Sequence, residues 1–319
     1  MNRNAIINHI NLYKDKLGSY AAVARKCDIN VGALSTIMAG KYGADEANML
    51  QKIANKLDYR ERNWNIVRSV TNYKQIASVW QDAKEESMWF AIANPAGSGK
   101  SETLTDLFNE DRSGTVTLIQ AEEWSGRTFL LKLIERTIGS HDGGLSYQST
   151  GKGYKTLAQL MDIVANYFND MSLERPVLLI DEADKLKPAA LRCLIPIFNR
   201  TEDRLGVILS GTENLQKEIE RGVRTAKKGY DELESRFGRT YIHLKGMNEQ
   251  DVAAICVANG ITNKEVIASI WSELPKVNKL TTVKTSNVKK DILLPYVEDM
   301  RRLKRLIKRE LLITKQRAA

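Results

Sequence analysis

The residues with the plainest chemistry are Asn94, Pro95, Ala96, Gly97, Ser98, Gly99, Lys100, Ser101 and Glu102, which follow the apolar run Phe90-Ala-Ile-Ala and lead into a helix-like pattern. Gly97 and Gly99 let backbone N–H groups converge on the β- and γ-phosphates of a nucleotide. Lys100 neutralises their charge, and the Ser101 hydroxyl ligates Mg²⁺. One position departs from the G-x-x-x-x-G-K-[ST] spacing, because Asn94 stands where the first Gly is expected. Asn is the next most tolerant residue of left-handed backbone, so the loop is expected to close. A second constellation ends the run Val177-Leu-Leu-Ile, where Asp181 and Glu182 put two carboxylates at the carboxyl end of a buried strand. Asp181 is expected to hold Mg²⁺ through water, and Glu182 to orient and deprotonate the attacking water. Further on, Ser210, Gly211, Thr212, Glu213 and Asn214 end another apolar run in hydroxyl and amide groups able to position the same water. Glu234-Ser-Arg236-Phe-Gly-Arg239 then sets two arginines shortly before the next one.

These groups need a scaffold that brings distant segments to one edge. Val116-Thr-Leu-Ile, Val177-Leu-Leu-Ile, Val207-Ile-Leu and Tyr241-Ile-His-Leu alternate with helical patterns, which predicts an α/β fold: a parallel sheet covered by helices on both faces, over residues 88–245. Pro196 falls inside the helical pattern 188–200 and is expected to kink it. A glycine-rich stretch, 139–155, carries Lys152, Tyr154 and Lys155 and reads equally as a DNA-facing loop or an inert insertion. The basic run Arg221, Arg224, Lys227 and Lys228 has the same two readings.

Residues 1–64 read as a small all-α domain. Ile6, Ile7, Ile10, Tyr13 and Leu17 recur at helical spacing, Gly18 stops the helix, and Ser19 caps a short Ala-rich second one. A turn at Asp28-Ile-Asn and a third helix from Val31 complete the outline of a helix-turn-helix. On that reading Asn30, Ser35 and Thr36 face the major groove, and Arg25, Lys26, Lys41 and Tyr42 lie near phosphates. The alternative is a helical adaptor that binds protein. Residues 65–87 are polar with scattered aromatics and read as a helical linker. Residues 246–319 read as a basic helical lid, with Met300, Leu303, Leu306, Ile307 and Leu311 on one stripe and arginines and lysines around it.

The chain has 319 residues and a net charge of +9, and the excess sits at its ends. Residues 1–64 carry 10 Lys/Arg against 6 Asp/Glu and residues 274–319 carry 13 against 4, whereas 65–273 carry 25 against 29. Such a distribution suits a polyanionic partner. Cys27, Cys193 and Cys256 are far apart with no C-x-x-C spacing, so neither a zinc site nor a disulfide framework is suggested, and reduced thiols in a cytosol fit best. The first residues form no apolar leader, and the expectation is a cytoplasmic protein with no membrane association.

The series of phosphate loop, Asp-Glu strand, polar strand end and Ser-Arg-Phe resembles the AAA+ ATPases over about residues 88–315. The resemblance implies ATP and Mg²⁺ as cofactors and Thr212 or Ser210 as the sensor of the γ-phosphate. It also implies that Arg236, with Arg239 as second choice, reaches a neighbouring subunit's nucleotide. Met300-Arg301-Arg302-Leu303 is similar to the family's lid motif, which would set Arg301 on the nucleotide. Residues 17–57 resemble lambda-repressor-like helix-turn-helix domains. Their order before the core and a basic lid resembles the transposition protein B family of phage Mu and its transposable-phage relatives. That implies an ATP-dependent helical homo-oligomer on double-stranded DNA, with little sequence preference, that delivers target DNA to a DDE transposase and is encoded by a phage or mobile element. A helicase loader of the IstB or DnaC type, an ATP-gated helix-turn-helix transcription regulator and a small-molecule kinase are the rival readings.

Overall fold

The computed structural model describes residues 3–43, 45–57, 59, 64–138, 153–285 and 288–318. The chain begins with four helices, α1 (Arg3–Leu17), α2 (Tyr20–Lys26), α3 (Val31–Met38) and α4 (Glu46–Lys56). Ile6, Ile10, Val23, Leu34, Ile37 and Ile53, fully buried, form their shared core. Local polar groups set the boundaries: the Ser19 side chain accepts from the Ala22 N–H, and Asn30 accepts from the Gly32 N–H.

The next unit is built on a five-stranded parallel sheet of order β2-β3-β4-β1-β5. Its chain order is α5 (Thr71–Glu86), β1 (Trp89–Ala93), α6 (Lys100–Glu110), β2 (Val116–Gln120), α7 (Gly126–Thr137) and α8 (Leu157–Asp170). Then come β3 (Val177–Asp181), α9 (Pro188–Thr201), β4 (Gly206–Gly211), α10 (Glu213–Arg224), α11 (Tyr230–Arg236) and β5 (Tyr241–Ile242). Strands β3 and β4 are buried along their whole length, which is why they read as unbroken apolar runs. Side chains alternate between the faces: Leu178 and Ile180 join Phe129, Leu130, Val164 and Phe168 on one side, whereas Val177 and Leu179 join Ile76, Ile92 and Leu104 on the other.

Helix α5 differs from the expected linker. Val70, Tyr73, Ile76, Val79 and Ala83 are buried in the second of these cores, and a side chain at Gly206 would collide with the Ala83 carbonyl. The helix is therefore a layer of the sheet domain. Its polar outer face hid this, since three apolar positions per two turns suffice to bury a helix.

The C-terminal segment also differs from the purely helical lid expected. Helices α12 (Glu249–Ala258) and α13 (Lys264–Glu273) are followed by an antiparallel hairpin, β6 (Val277–Thr285) and β7 (Val288–Tyr296), and then by α14 (Met300–Ala318). Valines and threonines at 277, 281–283, 285 and 288 supply the β preference that the lysines obscured. Among the described residues no helix is long and apolar enough to cross a membrane. Cys27, Cys193 and Cys256 are free and buried, and burial pushes each thiol up to about 11.

The four-helix unit touches the sheet domain at the far end of α6. Lys16 donates to the Phe108 carbonyl, its ammonium stands 3.8 Å from the centre of the Phe108 ring, and Arg112 pairs with Asp15 at 3.9 Å. Burial there pushes the Lys16 ammonium down to about 8.

Candidate nucleotide-binding site

Parallel pairing of β1 with β4 sets Ala93 beside Gly211, so the loop after β1 starts next to the end of β4. Gly97 and Gly99 both take φ +91, a conformation that only glycine adopts without strain. Asn94 does not use the left-handed backbone expected of it, and is absent from the described positive-φ residues. It is nearly fully buried, its N–H donates to the Gly211 carbonyl at 3.2 Å, and its Oδ1 accepts from the Leu244 N–H at 2.7 Å. The side chain, and not backbone tolerance, is what this position uses.

Lys100 opens α6 and folds back over the loop. Its Nζ donates to the Asn94 carbonyl at 2.7 Å, the Pro95 carbonyl at 3.1 Å and Ser98 Oγ at 3.1 Å. Burial lowers its pKa, Asp181 and Asp184 oppose the shift, and Arg301 adds to it. An anion at the α6 N-terminus would relieve this cost.

Asp181 ends β3 and is buried, with Oδ1 accepting from the buried Ser210 hydroxyl at 3.0 Å. Glu182 follows with φ +54, a strained setting for a non-glycine residue, and its carboxylate pairs with Lys185. That hydrogen bond raises the Lys185 pKa. Thr212 lies at the same edge, but its hydroxyl donates to Asp184 Oδ2 at 2.7 Å and accepts from the Asn214 N–H at 3.3 Å at the start of α10. Of the two hydroxyls singled out in the sequence, Ser210 is the one that touches Asp181.

The lid closes the other side. The Met300 N–H donates to the Gly97 carbonyl at 2.8 Å, and Asp299 packs so closely on Gly97 that a Cβ there would lie 2.8 Å from its Oδ1. Arg301 and Lys304, one turn apart on α14, line the same cleft, and Lys304 stands 5.0 Å from the centre of the Trp64 ring and 3.8 Å from Glu102. The cleft holds about 540 Å³ and is bounded by Ala96, Gly97, Ser98, Gly99, Lys100, Ser101 and Glu102, by Asp181, Glu182 and Thr212, and by Arg301.

Its remaining wall was missed in the sequence. Trp64, Asn65, Ile66, Val67 and Val70 form an apolar strap between lid and core. The Asn259 amide bonds both the N–H and the carbonyl of Asn65, at 2.8 and 3.1 Å, and Arg68 reaches buried Asp106 at 2.9 Å. Asn72 donates to the Ser98 carbonyl at 3.2 Å and accepts from the Gly246 N–H at 2.8 Å, linking the phosphate loop to the segment that enters the lid. Each of these partners is remote in sequence, so no local spacing announced them.

Arg236 lies outside its own cleft. It donates to Asn199 Oδ1 at 2.7 Å and Glu232 Oε1 at 3.1 Å and stacks 4.4 Å over Phe198, while Arg239 pairs with Asp231 at 2.8 Å. The candidate DNA residues are scattered. Arg25, Ser35 and Lys41 are exposed, Lys26 stands 5.8 Å from the Tyr13 ring, and the Lys155 carbonyl accepts from Arg127. Thr36 is exposed, but its hydroxyl donates within its own helix, to Gly32 and Ala33, and Asn30 is the α3 cap. Lys152 and the stretch 139–152 lie outside the described residues.

The family profile of the AAA domain matches residues 85–219. No curated protein matches the sequence. Similar solved structures include Cdc6p from Pyrobaculum aerophilum, at 12% identity and TM-score 0.41, covering 62% of this chain and 52% of that one. A Walker-type ATPase of Pyrococcus abyssi has 13% identity and TM-score 0.45, with coverages of 67% and 66%. A DNA replication initiation factor has 15% identity and TM-score 0.44, with coverages of 80% and 66%. The chain thus spans between 52% and 66% of the length of these structures. The domain match and the parallel sheet with its phosphate loop make the central unit an AAA+ P-loop NTPase core.

Proposed function

We propose that this AAA+ core binds and hydrolyses ATP with Mg²⁺, and that the protein uses the cycle to assemble on double-stranded DNA as the target-capture ATPase of a transposition system. The observation that carries the catalytic part is the convergence of Lys100, Ser101, Asp181 with Ser210, and Arg301 on one cleft from four separate elements. Ser101 and Asp181 are hard oxygen donors of the kind Mg²⁺ prefers, so the donor set fits that ion, which when bound would neutralise phosphate charge. Lys100 and the α6 N-terminus receive the phosphates, and the apolar strap from Trp64 to Val70 excludes water around the base. Glu182 accepts a proton from the attacking water once its carboxylate leaves Lys185. Arg236, exposed in part and held beside Phe198, is placed outside its own cleft, as a residue serving a second subunit must be.

The DNA part of the proposal draws on the excess of positive charge at the chain ends and on the order of helical domain, core and basic lid. Electron microscopy of the protein with duplex DNA, with and without a non-hydrolysable ATP analogue, tests it. Filaments are expected only when both are present, and monomers under all conditions would overturn the assembly. Glu182→Gln is expected to bind ATP normally and hydrolyse it about 10²–10³-fold more slowly, leaving filaments that persist. Wild-type turnover in that variant would remove Glu182 from the mechanism.

A further inference from the structure

The basic run at the end of α10 takes no part in lining the nucleotide cleft. The acids of α10 all precede Arg221 and are answered within the fold. Glu213 pairs with Lys217 at 3.0 Å, Glu220 accepts from Gln216 at 2.6 Å, and Glu218 accepts from the Tyr230 hydroxyl at 2.8 Å and pairs with Lys227 at 3.6 Å. The acids of α11 are engaged too, Asp231 and Glu234 by Arg239 and Glu232 by Arg236. Arg221, Arg224 and Lys228, with Arg192 of the neighbouring α9, are exposed and have no carboxylate within ion-pair distance among the described residues.

The turn that carries these cations is tightly held. A Cβ on Gly222 would lie 2.1 Å from the ring of buried Tyr230, so the last turn of α10 packs directly on the start of α11. The Ala226 N–H donates to the Val223 carbonyl and the Lys227 N–H to the Gly222 carbonyl, both at 2.9 Å, while Ala226 sits at φ +50, a left-handed position where glycine is usual. A Cβ on Gly229 would lie 3.4 Å from Arg192 Cδ, which brings the α9 cation to the same turn. The helix dipole accounts for Arg221 and Arg224 in the last turn of α10. It does not account for Lys228, beyond the helix, or for Arg192, on another one.

We infer that the α10–α11 turn, with Arg192 beside it, is a contact surface for the phosphates of duplex DNA; this rests on the DNA reading above. Three guanidinium groups and one ammonium supply donors of the kind that bind phosphate oxygens, and the fixed turn presents them together. Among the described residues no large apolar side chain of α9, α10 or α11 is exposed, so the patch lacks the apolar centre that a protein partner would bury. Contacts of this kind add affinity without reading bases.

The test uses the full chain and mixed-sequence duplexes, with affinity measured against salt in the presence of a non-hydrolysable ATP analogue. Replacing Arg221, Arg224 and Lys228 together by Gln is expected to make the log–log salt slope shallower by about two to three and to weaken binding to all sequences alike. An unchanged melting temperature reports an intact fold, and the charge-keeping variant Arg221→Lys/Arg224→Lys/Lys228→Arg should retain the wild-type slope. A wild-type slope in the Gln variant overturns the phosphate contact and leaves the DNA reading standing. No duplex binding by the wild type overturns both. A wild-type slope combined with lost cooperativity between protomers makes the patch a contact to a second copy of the chain and overturns the inference.

Discussion

Asn94 and Asn30 carry the same amide and put it to opposite uses. Asn94 Oδ1 accepts from the N–H of Leu244, 150 residues away, and Asn30 Oδ1 from that of Gly32, two residues on. The contrast extends to their surroundings. In the cleft, Ser210 reaches Asp181, Thr212 reaches Asp184 and Asn72 reaches Ser98, each across a separate element, whereas on the face of α3 Thr36 bonds to its own preceding turn and the remote bonds of the N-terminal unit, such as Arg3 to the Ile37 carbonyl, lie elsewhere. Polar groups tied across the fold hold a preorganised site, and polar groups tied locally define helix ends. The exposed Arg25 and Lys41 contribute charge at the surface of the N-terminal helices.

The most severe way to test that contrast is Lys100→Ala. It removes the one cation held inside the loop, and phosphate release is expected to fall by at least about two orders of magnitude. A variant that still hydrolysed ATP would make the cleft no more special than the helical domain. Asn94→Gly sharpens the comparison further, because it restores the residue that the phosphate-loop pattern names. The buried Leu244 N–H then loses its acceptor, at a cost of about 1–3 kcal/mol, so the melting temperature should drop and nucleotide binding weaken. A neutral Gly would reinstate the backbone explanation. Asn30→Ala should have the smallest effect, about 1 kcal/mol of helix capping confined to the N-terminal unit, with DNA-free ATP turnover unchanged. A change in that turnover would mean the two regions are not independent.

The sequence made the sheet legible because buried parallel strands are local apolar runs, and it made the phosphate loop and the Asp181-Glu182 pair legible because their spacing is local too. What escaped it is everything fixed by remote partners. Trp64 to Val70 looked like linker, since nothing nearby points to Asn259 or Asp106. The hairpin escaped because four lysines mask the valine and threonine pattern beneath them. Asn94 was given a backbone role that its geometry does not use, since a spacing pattern cannot say whether backbone or side chain matters.

Helix α6 carries a consequence of its own. It holds Lys100 and Ser101 in its first turn and, near its far end, the Phe108 carbonyl and ring that receive Lys16 of the N-terminal helices. Eleven residues make a stiff rod of about 16 Å. Any axial displacement of α6 at Lys100 therefore also displaces the Phe108 carbonyl and ring that receive Lys16 at the other end.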